Sequence, residues 1–343
     1  MARHHRGFSL IELMISMSIG IIMLGALTAV YIENKRVLNN VEGIARVQEN
    51  ARIAIEFMSH DAQLAGFYGK TSFAGLIQGS LSSADPLPAT GSDCGTQWYT
   101  DLEQSLWVVN NANPFAASCI PAANYQTGTD MLVVRHAKAL RQGATRQSPD
   151  SSSPITLPIP SEISTGTVFL RTSSSAGTLW RAGMDPPPAS PSGSIEDREL
   201  VTRIYYIRPW MVAASETPQV PTLVYEELGR FGGEPAMRAT ALVPGVEQMQ
   251  IQLGLDTDGD GAVDLYRASE STARASAINP EQILAIRIWL LLREDDSRGF
   301  EPRRSYTMGD TLFTPPDDGL ERFLVTRTIA VRNALPGVLQ SSP

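Results

Sequence analysis

The chain has 343 residues, of which 43% are hydrophobic and 19% charged, and its formal net charge is −8. The composition excludes a disordered chain, and the length suffices for one large domain or two smaller ones. Because the chain is acidic and lacks a basic cluster, we expect no nucleic-acid partner.

A short basic leader precedes a long apolar run at the N-terminus. Arg3 and Arg6 lie in the leader, which ends at Gly7, and the 25 residues from Phe8 to Ile32 carry one formal charge. A run of this length can cross a bilayer as a helix. Basic residues in front of it favour a cytoplasmic N-terminus and export of the rest. The run is too long for a signal peptide alone, and the small residue precedes it.

Residues 7–12, Gly-Phe-Ser-Leu-Ile-Glu, followed by an apolar helix, resemble the class III leader of type IV pilins and type II secretion pseudopilins. The resemblance implies that residues 1–7 are removed by prepilin peptidase, which cuts between Gly7 and Phe8 and methylates the new Phe8 amine. It also implies that residues 8–32 stay as an inner-membrane anchor and later join the core of a filament.

Glu12 is the single charge of the apolar run. A carboxylate in a membrane helix costs roughly 2.5–3.5 kcal/mol on insertion scales, so such residues are usually paired and functional. The resemblance to pilins supplies a partner, the methylated Phe8 amine of a neighbouring subunit. The alternative is a Glu12 that only reaches toward the headgroups. We expect a role in assembly.

An amphipathic helix is predicted to continue the membrane helix over residues 33–66. Apolar residues recur there at spacings of three, four and seven, which is typical of a helix with one buried face, and Gly66 with Gly69 ends the pattern. We expect the apolar stripe to pack on the globular domain. Its members are Val37, Val41, Ile44, Ala51, Ile55, Met58, Ala62 and Ala65.

The only two cysteines, Cys94 and Cys119, both follow the apolar run. An exported chain meets an oxidising compartment, so a disulfide between them is expected. The alternative is two free buried thiols.

Residues 67–343 are predicted to form a periplasmic β-rich domain. Ser148–Pro160 and Asp185–Ser194 are rich in Ser and Pro and are predicted to be exposed loops. One long helix followed by β-rich segments indicates an α+β fold with an antiparallel sheet. The predicted strands are Met131–Arg135, Arg203–Ile207, Thr222–Glu226, Val246–Leu255, Ile283–Leu292 and Phe323–Val331.

An acidic loop between two predicted strands has the pattern of a calcium ligand set. Asp256, Asp258 and Asp260 alternate, Ala262 can offer its carbonyl, and Asp264 fills the ninth position of the calcium-loop pattern. Hard oxygen ligands suit Ca²⁺, which would also relieve the mutual repulsion of the carboxylates. Arg267 stands where an EF-hand has its bidentate Glu, so the loop is not an EF-hand. A metal-free acidic hairpin is the alternative.

The segments 61–69 and 328–333 are similar to the helix end and the last strand of PilW-type minor pilins, which implies a type IV pilin-like fold. The resemblance implies a role in priming and assembly of a type IV pilus, with prepilin peptidase, other minor pilins and the major pilin as partners. A type II secretion pseudopilin and a membrane-anchored calcium-dependent adhesin are the alternatives. No catalytic residue set or nucleophile motif is found, so an enzyme is not expected.

Overall fold

The computed structural model describes residues 9–71, 73–79, 94, 98–138, 166–182, 196–269, 282–294 and 304–333. The chain divides into two compact units, residues 1–48 and 49–343. One helix, α1 (Leu10–Leu64), supplies the described part of the first unit and opens the second. The predicted cleavage residues Gly7 and Phe8 and the two predicted Ser/Pro-rich loops lie outside the described residues.

The first unit presents an apolar helix surface. Its large apolar side chains from Leu10 to Ile32 are exposed, and α1 is long and apolar enough to cross a membrane. Val37 and Val41 are exposed as well. The prediction that these two residues belong to a packed stripe was therefore wrong. In the second unit, the hydrogen bonds from α1 to the strands and to Asn333 involve positions 50 to 63.

In the second unit the end of α1 packs on the sheet through small and flexible residues. Ala51, Ala54, Ile55 and Met58 are buried, followed by Ala62 and Ala65. The helix ends at Leu64, and Gly66 takes a φ of +79°. A Cβ atom at Gly66 would lie 2.7 Å from the carbonyl oxygen of Asn333, so this close approach requires glycine.

Fourteen strands are described in the second unit. They are β1 (Ile77–Gln78), β2 (Leu106–Val109), β3 (Met131–Ala137), β4 (Val168–Thr172), β5 (Gly177–Arg181), β6 (Glu196–Arg208), β7 (Thr222–Phe231), β8 (Glu234–Pro244), β9 (Val246–Leu255), β10 (Leu265–Ala268), β11 (Ile283–Arg293), β12 (Tyr306–Met308), β13 (Thr311–Phe313) and β14 (Arg322–Ala330). Three short 3₁₀ helices occur at Ala74–Leu76, Trp98–Thr100 and Ala122–Asn124.

The larger sheet has eight strands and is organised around β6. Its main order is β1-β5-β4-β6-β3-β2, and β7 also pairs with β6 and carries β8 on its other side. The first residues of β6 pair with β4 and its last residues with β7, so one strand joins the two parts of the sheet. The pairs are antiparallel except for the two-residue parallel pair of β1 and β5.

The second sheet has four antiparallel strands in the order β10-β9-β11-β14, and β12 and β13 form a separate hairpin. Alternate residues of its central strand, Ile286, Ile288, Leu290 and Leu292, are buried, as the period of two in a strand requires. The described strands and α1 thus form an α+β fold with antiparallel sheets, as predicted.

All six predicted strands are present, and β9 has the predicted bounds. β6 and β7 are longer than predicted because their added residues are defined by pairing, those of β6 partly with β4 and those of β7 with β8. The sulfur atoms of Cys94 and Cys119 are bonded, with the two Cα atoms 4.6 Å apart. This bridge closes a segment that packs Trp98 and Phe115 into a hydrophobic core.

Candidate functional site

The start of α1 is capped by the residue that the sequence analysis selected. The Ser9 backbone N–H donates to Glu12 Oε2 at 3.0 Å, and the Ile11 backbone N–H donates to Ser9 Oγ at 3.4 Å. This is the reciprocal pattern of a capping box, which satisfies N–H groups that lack a partner within the helix. Glu12 is otherwise exposed in the described part of the chain.

A buried polar cluster, here named the Asp61 cluster, fixes the end of α1 to the sheet. Asp61 accepts from Arg203 Nη1 at 2.8 and 2.9 Å and from the Tyr205 hydroxyl at 2.5 Å. His136 Nε2 lies 3.4 Å from Asp61 Oδ1, the carboxylate oxygen that does not accept from Tyr205. Arg203 also donates to Glu227 Oε1 at 3.0 Å through Nε. The cluster therefore joins α1 to β3, β6 and β7.

Asp61 is held as a carboxylate by its partners. Burial acts to raise the pKa of Asp61, but His136, Arg203 and Tyr205 outweigh it, and the pKa lies below its usual value. Burial raises the pKa of the Tyr205 hydroxyl well above its usual value, and the Asp61 charge adds to this. The hydroxyl consequently stays a donor at any physiological pH.

Aromatic rings extend the cluster along the same face of the sheet. Phe57 stacks on Tyr225 with ring centroids 5.6 Å apart, and it meets Tyr205 edge-on at 6.4 Å. The Arg203 guanidinium lies 5.0 Å from the Phe57 ring centre, a cation–π distance. Ring stacking and ion pairing thus both hold α1 on the sheet. Together they fix the rotation of the helix about its own axis.

The acidic loop between β9 and β10 brings three of the five predicted ligands together. One carboxylate oxygen from each of Asp256, Asp258 and Asp260 lies within 4.8 Å of the others. The Asp256 oxygens accept from the backbone N–H groups of Gly259 at 2.6 Å and Gly261 at 2.9 Å. These bonds hold the loop closed with its carboxylates converging.

Asp264 is directed to a different partner. Its Oδ2 accepts from the Thr257 backbone N–H at 2.7 Å and from the Thr257 hydroxyl at 2.6 Å. These two donors hold the pKa of Asp264 below its usual value.

The Ala262 backbone N–H donates to Asp260 Oδ1 at 2.7 Å. Three convergent carboxylates are a hard-oxygen donor set of the kind that Ca²⁺ takes.

The Asp61 cluster was missed by the sequence analysis. Its members lie far apart in the chain, and Asp61 and Arg203 are 142 positions apart. The one available signal is Asp61 itself, a charged residue beside Ala62 in the predicted apolar stripe. A charge in that position calls for a partner on the opposing sheet.

Comparison with known proteins gives two family matches. Residues 2–28 match the prokaryotic N-terminal methylation motif. Residues 204–333 match the PilW family, described as type IV pilus-assembly protein W, and this segment runs from β6 to the last described residue.

Among solved structures, a type IV-like pilin from Thermus thermophilus is similar to the chain at 18% identity and a TM-score of 0.26. The similarity covers 50% of this chain and 86% of that one. Among curated protein sequences there is no match to this chain.

Proposed function

We infer that this chain, a PilW-type minor pilin with a role in assembly of the type IV pilus, acts in a small complex of minor pilins that primes the filament and remains near its tip. One observation carries the proposal: the N-terminal methylation motif at residues 2–28 and the PilW match at residues 204–333 occur in one chain. Prepilin peptidase and other pilins are its partners in general, and the proposed specific partners are the other minor pilins and the major pilin.

The proposed location follows from the order of the segments. Residues 8–32 anchor the chain in the inner membrane, and the domain that begins beyond the helix folds in the periplasm. After cleavage between Gly7 and Phe8 the subunit enters the filament and reaches the cell surface. The exposed apolar surface of α1 supports this, because a helix that is apolar all round requires lipid or other helices around it.

Glu12 has two successive partners in this proposal. In the single subunit its carboxylate accepts the Ser9 backbone N–H, so the helix start is capped. In the filament the methylated Phe8 amine of a neighbour supplies a positive charge, and a charge-assisted hydrogen bond is stronger than a neutral one. Because the bond of Glu12 to the Phe8 amine is the stronger one, the exchange favours docking of the neighbour.

A deletion strain tests the proposed function. Surface pili should be lost on deletion, should return with the wild-type chain, and should not return with Gly7→Val, in which the residue before the cleavage site is too large. Secretion of type II substrates should be unaffected. Lost secretion with normal pili would instead identify the pseudopilin, and normal pili and secretion with lost attachment would identify the adhesin.

We also propose that the acidic loop binds one Ca²⁺ through Asp256, Asp258 and Asp260, with the Ala262 carbonyl and Asp264 completing the set. The convergence of the three carboxylates supports this. Asp264 would have to leave Thr257 to join, and Arg267 replaces the usual bidentate Glu. The affinity is therefore in the weak extracellular range, about 10⁻⁴–10⁻³ M.

A further inference from the structure

β14 lies at one edge of the four-stranded sheet, and its outer side, here named the β14 edge, carries no strand within the described ranges of the chain. The strand has nine residues, and its register with β11 is unbroken over all of them. A row of main-chain N–H and C=O groups on an edge of this length can pair with another strand, so folded proteins usually shorten, bend or block such edges.

The other edges of the two sheets are protected in these ways. β1, β2 and β10 are short, with two, four and four residues. β8 is longer, but it contains Pro235 and Pro244, which lack an N–H, and its pairing with β7 has a register shift. β14 contains no proline, glycine or lysine. Among the described strands of the two sheets, the β14 edge is therefore the one that is both long and regular.

The pairing with β11 decides which main-chain groups of β14 point outward. The Val331 N–H donates to the Leu284 carbonyl at 2.8 Å, so these two residues form a hydrogen-bonded pair. Hydrogen-bonded and non-hydrogen-bonded pairs alternate along an antiparallel ladder. The N–H and C=O groups of Leu324, Thr326 and Thr328 consequently point away from β11, toward the β14 edge.

The side chains beside the β14 edge define which strand would fit there. Phe323, Val325 and Arg327 share the face on which β11 buries Ile288 and Leu290. Phe323 is 37% exposed, and Arg327 is exposed as well. A charge on the inner face of an edge discourages a purely apolar strand. An acidic residue directly opposite Arg327 removes this obstacle, because opposite charges stabilise a cross-strand pair and like charges destabilise it.

We propose that the β14 edge binds an extended segment of another protein, which adds to the sheet as an antiparallel strand. The segment places an acidic residue opposite Arg327 and apolar residues opposite Phe323 and Val325. In this mode of recognition, main-chain hydrogen bonds give affinity and alternate side chains give specificity. A second copy of β14 fits less well, because antiparallel pairing about Thr326 would set the two Arg327 side chains diagonally across from each other, and β14 contains no acidic residue.

A synthetic peptide tests the proposal on the full-length chain in detergent. The probe is fluorescently labelled Thr-Val-Thr-Glu-Thr-Val-Thr-Val-Thr, whose glutamate lies opposite Arg327 when the peptide pairs antiparallel with all of β14. Fluorescence anisotropy should show binding, and a lysine in place of the glutamate should weaken it by about fivefold. Arg327→Glu should reverse this preference. No binding, equal binding of the two peptides, or an unchanged preference in Arg327→Glu would overturn the proposal.

Two substitutions at one position separate main-chain pairing from side-chain contact. Thr326→Pro removes an N–H that points to the β14 edge and leaves the bonds to β11, whereas Thr326→Val keeps this N–H. Peptide binding should fall at least about threefold in Thr326→Pro and stay near wild type in Thr326→Val. Methylation of the backbone nitrogen of the peptide's central threonine asks the same question of the wild-type chain and should also weaken binding. Equal affinity of the methylated and unmethylated peptides would contradict strand addition, whatever the stability of Thr326→Pro.

Photocrosslinking in living cells identifies the occupant, with p-benzoylphenylalanine at position 326 of the full-length chain. The matched control is position 240, because Thr240 is an exposed threonine of β8, the other long edge strand. Position 326 should give an adduct that maps to a segment of another protein containing Asp or Glu, and position 240 should not give this adduct. An adduct with lipid only, with another segment of the same chain or with a second copy, or no adduct at position 326, would overturn the proposal.

Discussion

Replacing Asp61 by alanine should destabilise the domain more than replacing any exposed carboxylate on the same helix does. The substitution removes the acceptor of Arg203 and of the Tyr205 hydroxyl, two side chains of β6. Breaking a buried ion pair from one side costs about 3–5 kcal/mol. Arg203 keeps Glu227 as a partner, so we expect the cost of breaking the Asp61–Arg203 pair to lie at the low end of this range. An unpaired Tyr205 hydroxyl adds about 1 kcal/mol, for a total of roughly 3–4 kcal/mol.

Urea unfolding of the full-length chain in detergent measures this loss through tryptophan fluorescence, because all five tryptophans follow α1. The control is Glu56→Ala, which removes an exposed partner of Arg52 on the same helix and should cost less than about 0.5 kcal/mol. Asp61→Asn should lie between the two. A loss for Asp61→Ala within about 1 kcal/mol of the control would refute the role of the Asp61 cluster.

The loss of stability in Asp61→Ala should depend on pH. The folded-state pKa of Asp61 lies below its usual value, so its contribution is complete above the unfolded pKa of about 3.9. It disappears only as the pH falls through the lower folded value. The difference between wild type and Asp61→Ala should therefore shrink as the pH falls below the unfolded pKa of Asp61.

Three further predictions concern other parts of the chain. Glu12→Ala should insert in the membrane normally but crosslink poorly to other minor pilins, with Glu12→Gln intermediate; unchanged crosslinking would exclude a pairing role. Millimolar calcium should stabilise the domain by about 1–2 kcal/mol and raise its melting temperature, whereas magnesium should raise it little. The double substitution Asp258→Ala with Asp260→Ala should abolish the effect of calcium on the melting temperature. Burial raises the pKa of Glu226 to about 7, so unfolding free energy should fall from pH 5 to pH 8, by up to about 3 kcal/mol from this residue, and fall less in Glu226→Gln.

Strands with a clear apolar pattern could be predicted from the sequence, whereas β8, an edge strand without such a pattern, could not. Val246–Leu255 alternates apolar and polar residues from Met249 onward, Ile283–Leu292 is apolar except for Arg287, and both became central strands. β8 was missed because its sequence, Glu-Pro-Ala-Met-Arg-Ala-Thr-Ala-Leu-Val-Pro, has no alternation. It is defined by its pairing with β7, and a prediction from local pattern cannot include such a partner.

The same distinction separates the candidate sites. The three clustered aspartates are neighbours in the chain, so spacing alone predicted them. The contact of Asp264 with Thr257 was missed because a threonine in an acidic loop gives no signal of its own. The Asp61 cluster depends on residues from four elements, and each of them resembles a surface or strand-end residue until the register of β3, β6 and β7 is known.

A count of this chain in purified pili tests the central claim most directly. Pili sheared from cells and fractionated by length can be digested, and the peptide that begins at N-methylated Phe8 quantified against the major pilin. A priming subunit at the tip predicts a constant amount per filament, so its ratio to the major pilin should fall as the filaments lengthen. A ratio independent of length, a peptide that still carries residues 1–7, or absence of the chain from pili would contradict the account.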